Sequence, residues 1–146
     1  EPSGTAGRPM LDVILGQDIY NVAVVVTRYF GGVLLGTGGL VRAYSSAVQT
    51  GLAASTVITK KLGISLRVET DYSGIGKIQY IAGENGLPIL DSEYTDKVIL
   101  HLLVPEDQVQ QVEKRITEGT SGRASMEKIK DVYFADVNGE TKIWEC

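Results

Sequence analysis

Residues 62–69, LGISLRVE, alternate apolar and polar side chains along their whole length. Leu62, Ile64, Leu66 and Val68 recur at every second position, which is the period of a strand with one buried face. We therefore predict a half-buried β-strand here, and the neighbouring segments can be interpreted outward from it.

The segments after this strand predict a complete α+β domain. Residues 74–86 carry apolar side chains at helical spacing, and Thr95-Asp96-Lys97 separates two β-type runs as a hairpin turn would. The further predicted elements are a hairpin of strands 89–94 and 98–104, a helix from Pro105 to Gly119, a strand over 126–137 and a short strand over 140–144 after the Asn138-Gly139 turn. This βαββαβ order is the ferredoxin-like arrangement.

The segments before residue 57 predict a less complete unit. An apolar stripe predicts a helix that ends at Gly16, Val22–Val26 predicts a buried strand, and a glycine-rich loop over 31–39 precedes a second helix. One strand and two helices leave a sheet edge unpaired. We therefore expect an N-terminally truncated domain over 1–56, a second domain over 57–146, and self-association through the unpaired edge.

Composition and charge narrow the class of protein. The chain is 43% hydrophobic and 22% charged, as globular proteins are, and has a net charge of −4. This is not the broad basic field of a general nucleic-acid binder. No apolar run is long enough to span a bilayer, and the lone Cys146 predicts no disulfide framework. We expect a cytoplasmic protein without a membrane partner.

The glycine segment, residues 31–39, is the sharpest candidate site. Glycines before a helix can bring backbone N–H groups close to a phosphate, although they can equally form a tight structural turn. The segment matches neither nucleotide-binding fingerprint, because Thr37-Gly38 and Val41 stand where those motifs need other residues. Both interpretations remain open from the sequence.

Three arginines, Arg8, Arg28 and Arg42, would form a cationic cluster if they converge on this segment, unless each is ion-paired or solvated. Tyr29 could stack on a base, although an aromatic residue at a strand end more often completes a core. The predicted anion- or nucleic-acid-binding residues are Arg8, Arg28, Tyr29, Gly31, Gly32, Gly36, Thr37, Gly38, Gly39 and Arg42.

No catalytic residue, metal site or cofactor is predicted. His101 is the sole histidine and has no histidine or cysteine at ligand spacing. Asp91, Glu93 and Asp96 lie around a hairpin, where turn chemistry and solvation account for them. The sequence thus offers no group for acid–base or nucleophilic catalysis.

Two blocks resemble the IMPACT (YigZ-like) family: EPSGTAGRPM at residues 1–10, and VVTRYFGGVLLG at 25–36 continuing into GGLVRAY at 38–44. The resemblance implies a first domain of the ribosomal-protein S5 domain 2 type. It also implies a second domain similar to the ferredoxin-like C-terminal domain of elongation factor G.

The resemblance further implies a regulatory binding protein in translation, with RNA, the ribosome or a ribosome-associated protein as partner. Two alternatives stay open. One is a small phosphorylated-ligand-binding protein or enzyme that uses the Gly31–Gly39 segment, and the other is an inactive proteolytic fragment.

Overall fold

The computed structural model describes residues 1–146, which divide into two compact units, Glu1–Val57 and Ile58–Cys146. The protein is α+β, with four α-helices and one five-stranded antiparallel sheet. None of the helices has the length and apolarity that crossing a bilayer would need.

The second unit contains the whole sheet and has the predicted element order. Its elements are β1 (Lys61–Thr70), α3 (Ile75–Glu84), β2 (Ile89–Tyr94), β3 (Val98–Pro105), α4 (Val109–Gly119), β4 (Ser125–Val137) and β5 (Glu140–Glu145), with α1 and α2 in the first unit. The sheet order is β2-β3-β1-β4-β5, so β1 lies at its centre. The alternating stretch 62–69 is therefore the central strand.

One face of this sheet packs against α3 and α4. Leu66 and Val68 of β1 contact a cluster that includes Ile78 of α3 and Ile116 of α4, and all four side chains are fully buried. Apolar positions with period two on the strand and period 3.6 on the helices thus meet in one core, as the pattern of each element requires.

The sequence predicts one of two connections in the second unit correctly and the other wrongly. Asn138 and Gly139 both have positive φ, as a type I′ turn requires, and join β4 to β5. The predicted helix start at Pro105 is wrong, because this residue ends β3 and a 3₁₀ turn, Glu106–Gln108, precedes α4. Pro105 has an extended backbone with ψ of 141°, which no helical residue adopts.

The first unit has two helices, α1 (Gly7–Gly16) and α2 (Gly36–Ala53), which pack against each other. Buried side chains of α2 lie on one face: Leu40, Tyr44 and Val48. The predicted strand at Val22–Val26 is wrong, because residues 22–30 form no strand in this structure. They lack a neighbouring strand to accept and donate the ladder hydrogen bonds, and Val25 is 88% exposed.

Candidate anion-binding site

The glycine segment is only partly a loop. Helix α2 begins at Gly36, so Gly36, Thr37, Gly38 and Gly39 form its first turn, and the loop prediction is wrong for these four residues. Gly32 and Gly36 have φ values of +90° and +73°, a conformation that side chains with a Cβ rarely adopt. Both glycines are therefore required by the turn that leads into the helix.

The N-terminus of α2 has no side-chain cap and no acidic residue in its first turn. The first amide groups of a helix lack intrahelical acceptors, and together with the helix dipole they create a partial positive charge. Arg42 lies against this turn, with its Nη1 atom 3.3 Å from the position that a Cβ on Gly38 would occupy. The absence of a side chain at Gly38 makes room for the guanidinium.

The three predicted arginines do not share one environment. Arg8 pairs with Asp12 one helical turn away, at 2.9 Å between Nε and Oδ1. Arg28 forms an ion pair with Glu1. Arg42 has neither an ion pair nor a hydrogen-bonded carboxylate, so it is the arginine of the three whose charge is uncompensated.

The Arg28–Glu1 pair is anchored by α2. The Tyr44 hydroxyl, on the buried face of the helix, donates a hydrogen bond of 3.2 Å to Glu1 Oε1. The hydrogen bond from Arg28 lowers the pKa of Glu1 below its ordinary value, and burial followed by the bond to Glu1 raises the pKa of Tyr44. Tyr44 is thus a core residue with a paired hydroxyl, as its position on the helix predicts.

The aromatic residues after this arginine face solvent. Tyr29 is 89% exposed, so the expectation that it completes a core is wrong, and Phe30 beside it is 63% exposed. The Arg28 guanidinium lies 5.8 Å from the centre of the Phe30 ring, within the range of a cation–π contact. Tyr29 presents a free ring of the kind that stacks on bases.

The second unit has a cluster that the sequence did not suggest. Asp91, Glu93 and His101 lie on the paired strands β2 and β3, with their candidate ligand atoms all within 4.8 Å of one another. The signal that could have found them is the hairpin register, which sets Asp91 directly opposite His101.

Two grooves flank α4. The larger, of about 570 Å³, is lined mainly by polar and charged side chains, among them Glu113, Lys114 and Glu118. The second, of about 410 Å³, is lined by Glu106, Asp107, Lys128 and Asp131 among others. None of the predicted site residues lines either groove.

Comparison with known proteins assigns the two units separately. Residues 1–52 match the Impact N-terminal domain, and residues 68–123 match a domain of unknown function, DUF1949. These matches and the fold define the chain as a two-part α+β protein in which the first of these domains precedes the second.

The chain belongs to the IMPACT family. It is 37% identical to IMPACT family member YvyE of Bacillus subtilis over 92% of this chain and 62% of that protein. It is 32% identical to IMPACT family member YigZ of Escherichia coli over 90% of this chain and 64% of that protein. The chain thus spans somewhat less than two thirds of the length of these relatives.

A solved structure described as that of a hypothetical protein is 31% identical and covers 89% of this chain and 63% of its own. Its TM-score is 0.46.

Proposed function

We propose that this protein is a translation-associated regulatory binding protein that contacts RNA phosphates at the N-terminus of α2. In this proposal the first unit is an incomplete ribosomal-protein S5 domain 2-like fold, and the second is a ferredoxin-like domain with an added strand. The link to translation comes from the IMPACT family resemblance, and the ribosome or a ribosome-associated protein would be the setting of the contact.

The observation that carries the proposal is Arg42 on the uncapped first turn of α2. A guanidinium beside the positive end of a helix is unfavourable unless an anion lies between them. A phosphate placed there would accept hydrogen bonds from the guanidinium and from the free amides of the turn. Gly38 is exposed and carries no side chain, so its backbone is accessible to such a phosphate.

This surface suits a short contact with single-stranded RNA better than a contact along a duplex, because it lacks a broad basic field. The first 56 residues carry three arginines and three acidic residues, and two of the arginines are ion-paired. A contact to one or two phosphates, with Tyr29 available for base stacking, is what such a surface supports.

The test is anisotropy of a labelled single-stranded RNA at increasing KCl, with Arg42→Gln as the variant. Removing one phosphate contact should weaken binding and make the slope of log K against log salt less steep by about 0.7. The control is Lys114→Gln, which removes one exposed positive charge from α4 in the second unit. Arg28→Gln is a poorer probe because it also releases Glu1.

Binding that is independent of salt, or equal in the Arg42→Gln variant and the parent chain, would overturn the proposal. The same titration distinguishes the second candidate, a small phosphorylated ligand at the Gly31–Gly39 segment. In that case a nucleotide alone would raise the melting temperature and would displace the RNA. A ligand at 100 times its Kd adds about 2.7 kcal/mol to the free energy of unfolding.

A further inference from the structure

A surface row of the sheet brings together one imidazole and two carboxylates. Asp91 on β2 lies opposite His101 on β3, and Glu93 lies two residues along β2 on the same face. This face is the one opposite α3 and α4, because the intervening Leu100 belongs to the core cluster. Asp91 and Glu93 are exposed and His101 is half-buried.

The three side chains stand on a rigid support. Strands β2 and β3 pair from Asp91 to Tyr94, and β3 pairs on its other side with the central strand β1. Ligands held on paired strands keep their relative positions, which lowers the cost of gathering them around an ion. The Ser92 amide also donates a hydrogen bond of 2.9 Å to Asp91 Oδ1, which restrains that carboxylate.

The charge of the two carboxylates is not balanced by the neighbouring bases. Arg67 lies opposite His101 on β1, but its guanidinium bonds to Glu69 at 3.2 Å. Lys97 in the hairpin turn also bonds to Glu69, again at 3.2 Å. Hydrogen bonds from Lys97 and then Arg67 lower the pKa of Glu69, so both basic groups are engaged by that residue.

The ligand atoms of the three side chains are also close together, although the side chains do not bond to one another. His101 forms no ion pair with either carboxylate, and none of the three takes part in any salt bridge of the structure. Two atoms bound to one zinc ion lie at most about 4.2 Å apart, because each bond is about 2.1 Å long. Ligand atoms within 4.8 Å of one another therefore need only small side-chain rotations to share an ion.

We propose that Asp91, Glu93 and His101 form a binding site for a divalent transition-metal ion of the zinc type. One imidazole nitrogen and two carboxylate oxygens are ligands that Zn²⁺ accepts, and three protein ligands leave a fourth position open to water or to a ligand atom from a partner. The two carboxylates neutralise the charge of the ion. This site lies in the second unit and is independent of the proposed RNA contact in the first.

The single histidine of the chain gives a direct measurement. ZnCl₂ is titrated into the full chain with Cys146→Ser, which removes the exposed thiol as a competing ligand. Long-range ¹H–¹⁵N spectra then follow the imidazole nitrogens of His101. We expect one ring nitrogen to shift and the change to saturate at one equivalent of zinc.

Variants then assign the remaining ligands. Asp91→Asn, Glu93→Gln and His101→Gln should each weaken zinc binding, measured by calorimetry, at least about tenfold, as expected for the loss of a group that supports a metal ion. Asp136→Asn is the matched control, because it removes an exposed carboxylate from β4 of the same sheet.

An imidazole spectrum unchanged by millimolar zinc would overturn the proposal. So would zinc binding that persists undiminished in His101→Gln, since the ion would then lie elsewhere. Circular dichroism of each variant shows whether it retains the fold. If the carboxylate variants are folded and still bind zinc as tightly as the parent chain, the proposed ligand set is wrong.

Discussion

The two units use similar β-type sequences with opposite outcomes. The second unit pairs β1 on both sides and buries Leu66 and Val68 completely. The first unit contains a run at residues 22–26 that is apolar at every position, yet that run forms no strand, and Val25 is 88% exposed. An apolar, β-branched run becomes a strand when a neighbour satisfies its backbone, so propensity alone does not form a sheet.

The segments that lead into the helices also differ between the two units. The Asp71 carboxylate accepts hydrogen bonds from the Gly74 amide and the Ser73 hydroxyl immediately before α3, and it also pairs with Arg123. Helix α2 has no such group at its N-terminus. A carboxylate thus holds the turn that leads into α3, whereas no comparable group stands before α2.

Amide hydrogen exchange should show the largest difference between the units. No amide from residue 22 to residue 34 donates a hydrogen bond to another backbone group, whereas the β1 amides are in a ladder. We expect amides of residues 64–68 to exchange at least about a thousandfold more slowly than those of 22–30. Mass-spectrometric or NMR-detected exchange at micromolar protein measures this directly.

The same experiment tests the predicted self-association. If a second copy pairs with residues 22–30, the protection of that segment should rise with protein concentration. Slow exchange of the segment even at the lowest concentration would contradict the structural difference between the two units.

Truncation of a core side chain should have the next largest effect. Leu66→Ala leaves a cavity at the centre of the sheet and should lower the free energy of unfolding by about 2–5 kcal/mol. Val25→Ala, at a largely exposed site in the first unit, should change it by less than about 0.5 kcal/mol. Urea unfolding followed by far-ultraviolet circular dichroism measures both changes, because helices in both units contribute to the signal.

Comparable losses for the two variants would mean that residues 22–26 are buried in solution, and the contrast between the units would fail.

The smallest effect concerns Asp71, in the turn immediately before α3. The hydrogen bonds from Ser73 and from the Gly74 amide lower the pKa of Asp71, with a smaller contribution from the charge of Arg123. A lowered carboxyl pKa adds stability that is present above the unfolded pKa and is lost as the pH falls through the folded pKa, below about pH 4. Ser73→Ala should therefore raise the pKa of Asp71 and reduce the acid sensitivity of the second unit.

Carbon-13 titration of the Asp71 carboxyl measures this shift. The control is Ser46→Ala, at an exposed position of α2, which should leave the pKa of Asp71 unchanged. An Asp71 pKa that is the same in the parent chain and in Ser73→Ala would show that the Ser73 hydroxyl is not bound to this carboxylate in solution.

Most of the second unit could be predicted from the sequence because its signals are local. The alternation at 62–69, the turn at Asn138-Gly139 and the helical spacing over 74–86 each fix one element, and their order fixes the topology. The start of α4 was missed because Pro105 suits the end of a strand as well as the first turn of a helix.

The site was less predictable because it depends on partners distant in sequence. The glycine segment and Arg42 could be singled out, but the pairing of Arg28 with Glu1 joins residues 27 positions apart. The exposure of Tyr29 likewise depends on residues 22–30 having no strand to pair with. The assignment of all these residues to anion binding stays a prediction.

The sequence by itself determined the family, the α+β class and the order of elements in the second unit, since each depends on local period, turn chemistry or an ordered motif. The tertiary structure alone decided that residues 22–26 stay unpaired and that Arg42 keeps an uncompensated charge. Those outcomes depend on which distant groups come within bonding distance, and local sequence patterns do not encode distance between elements.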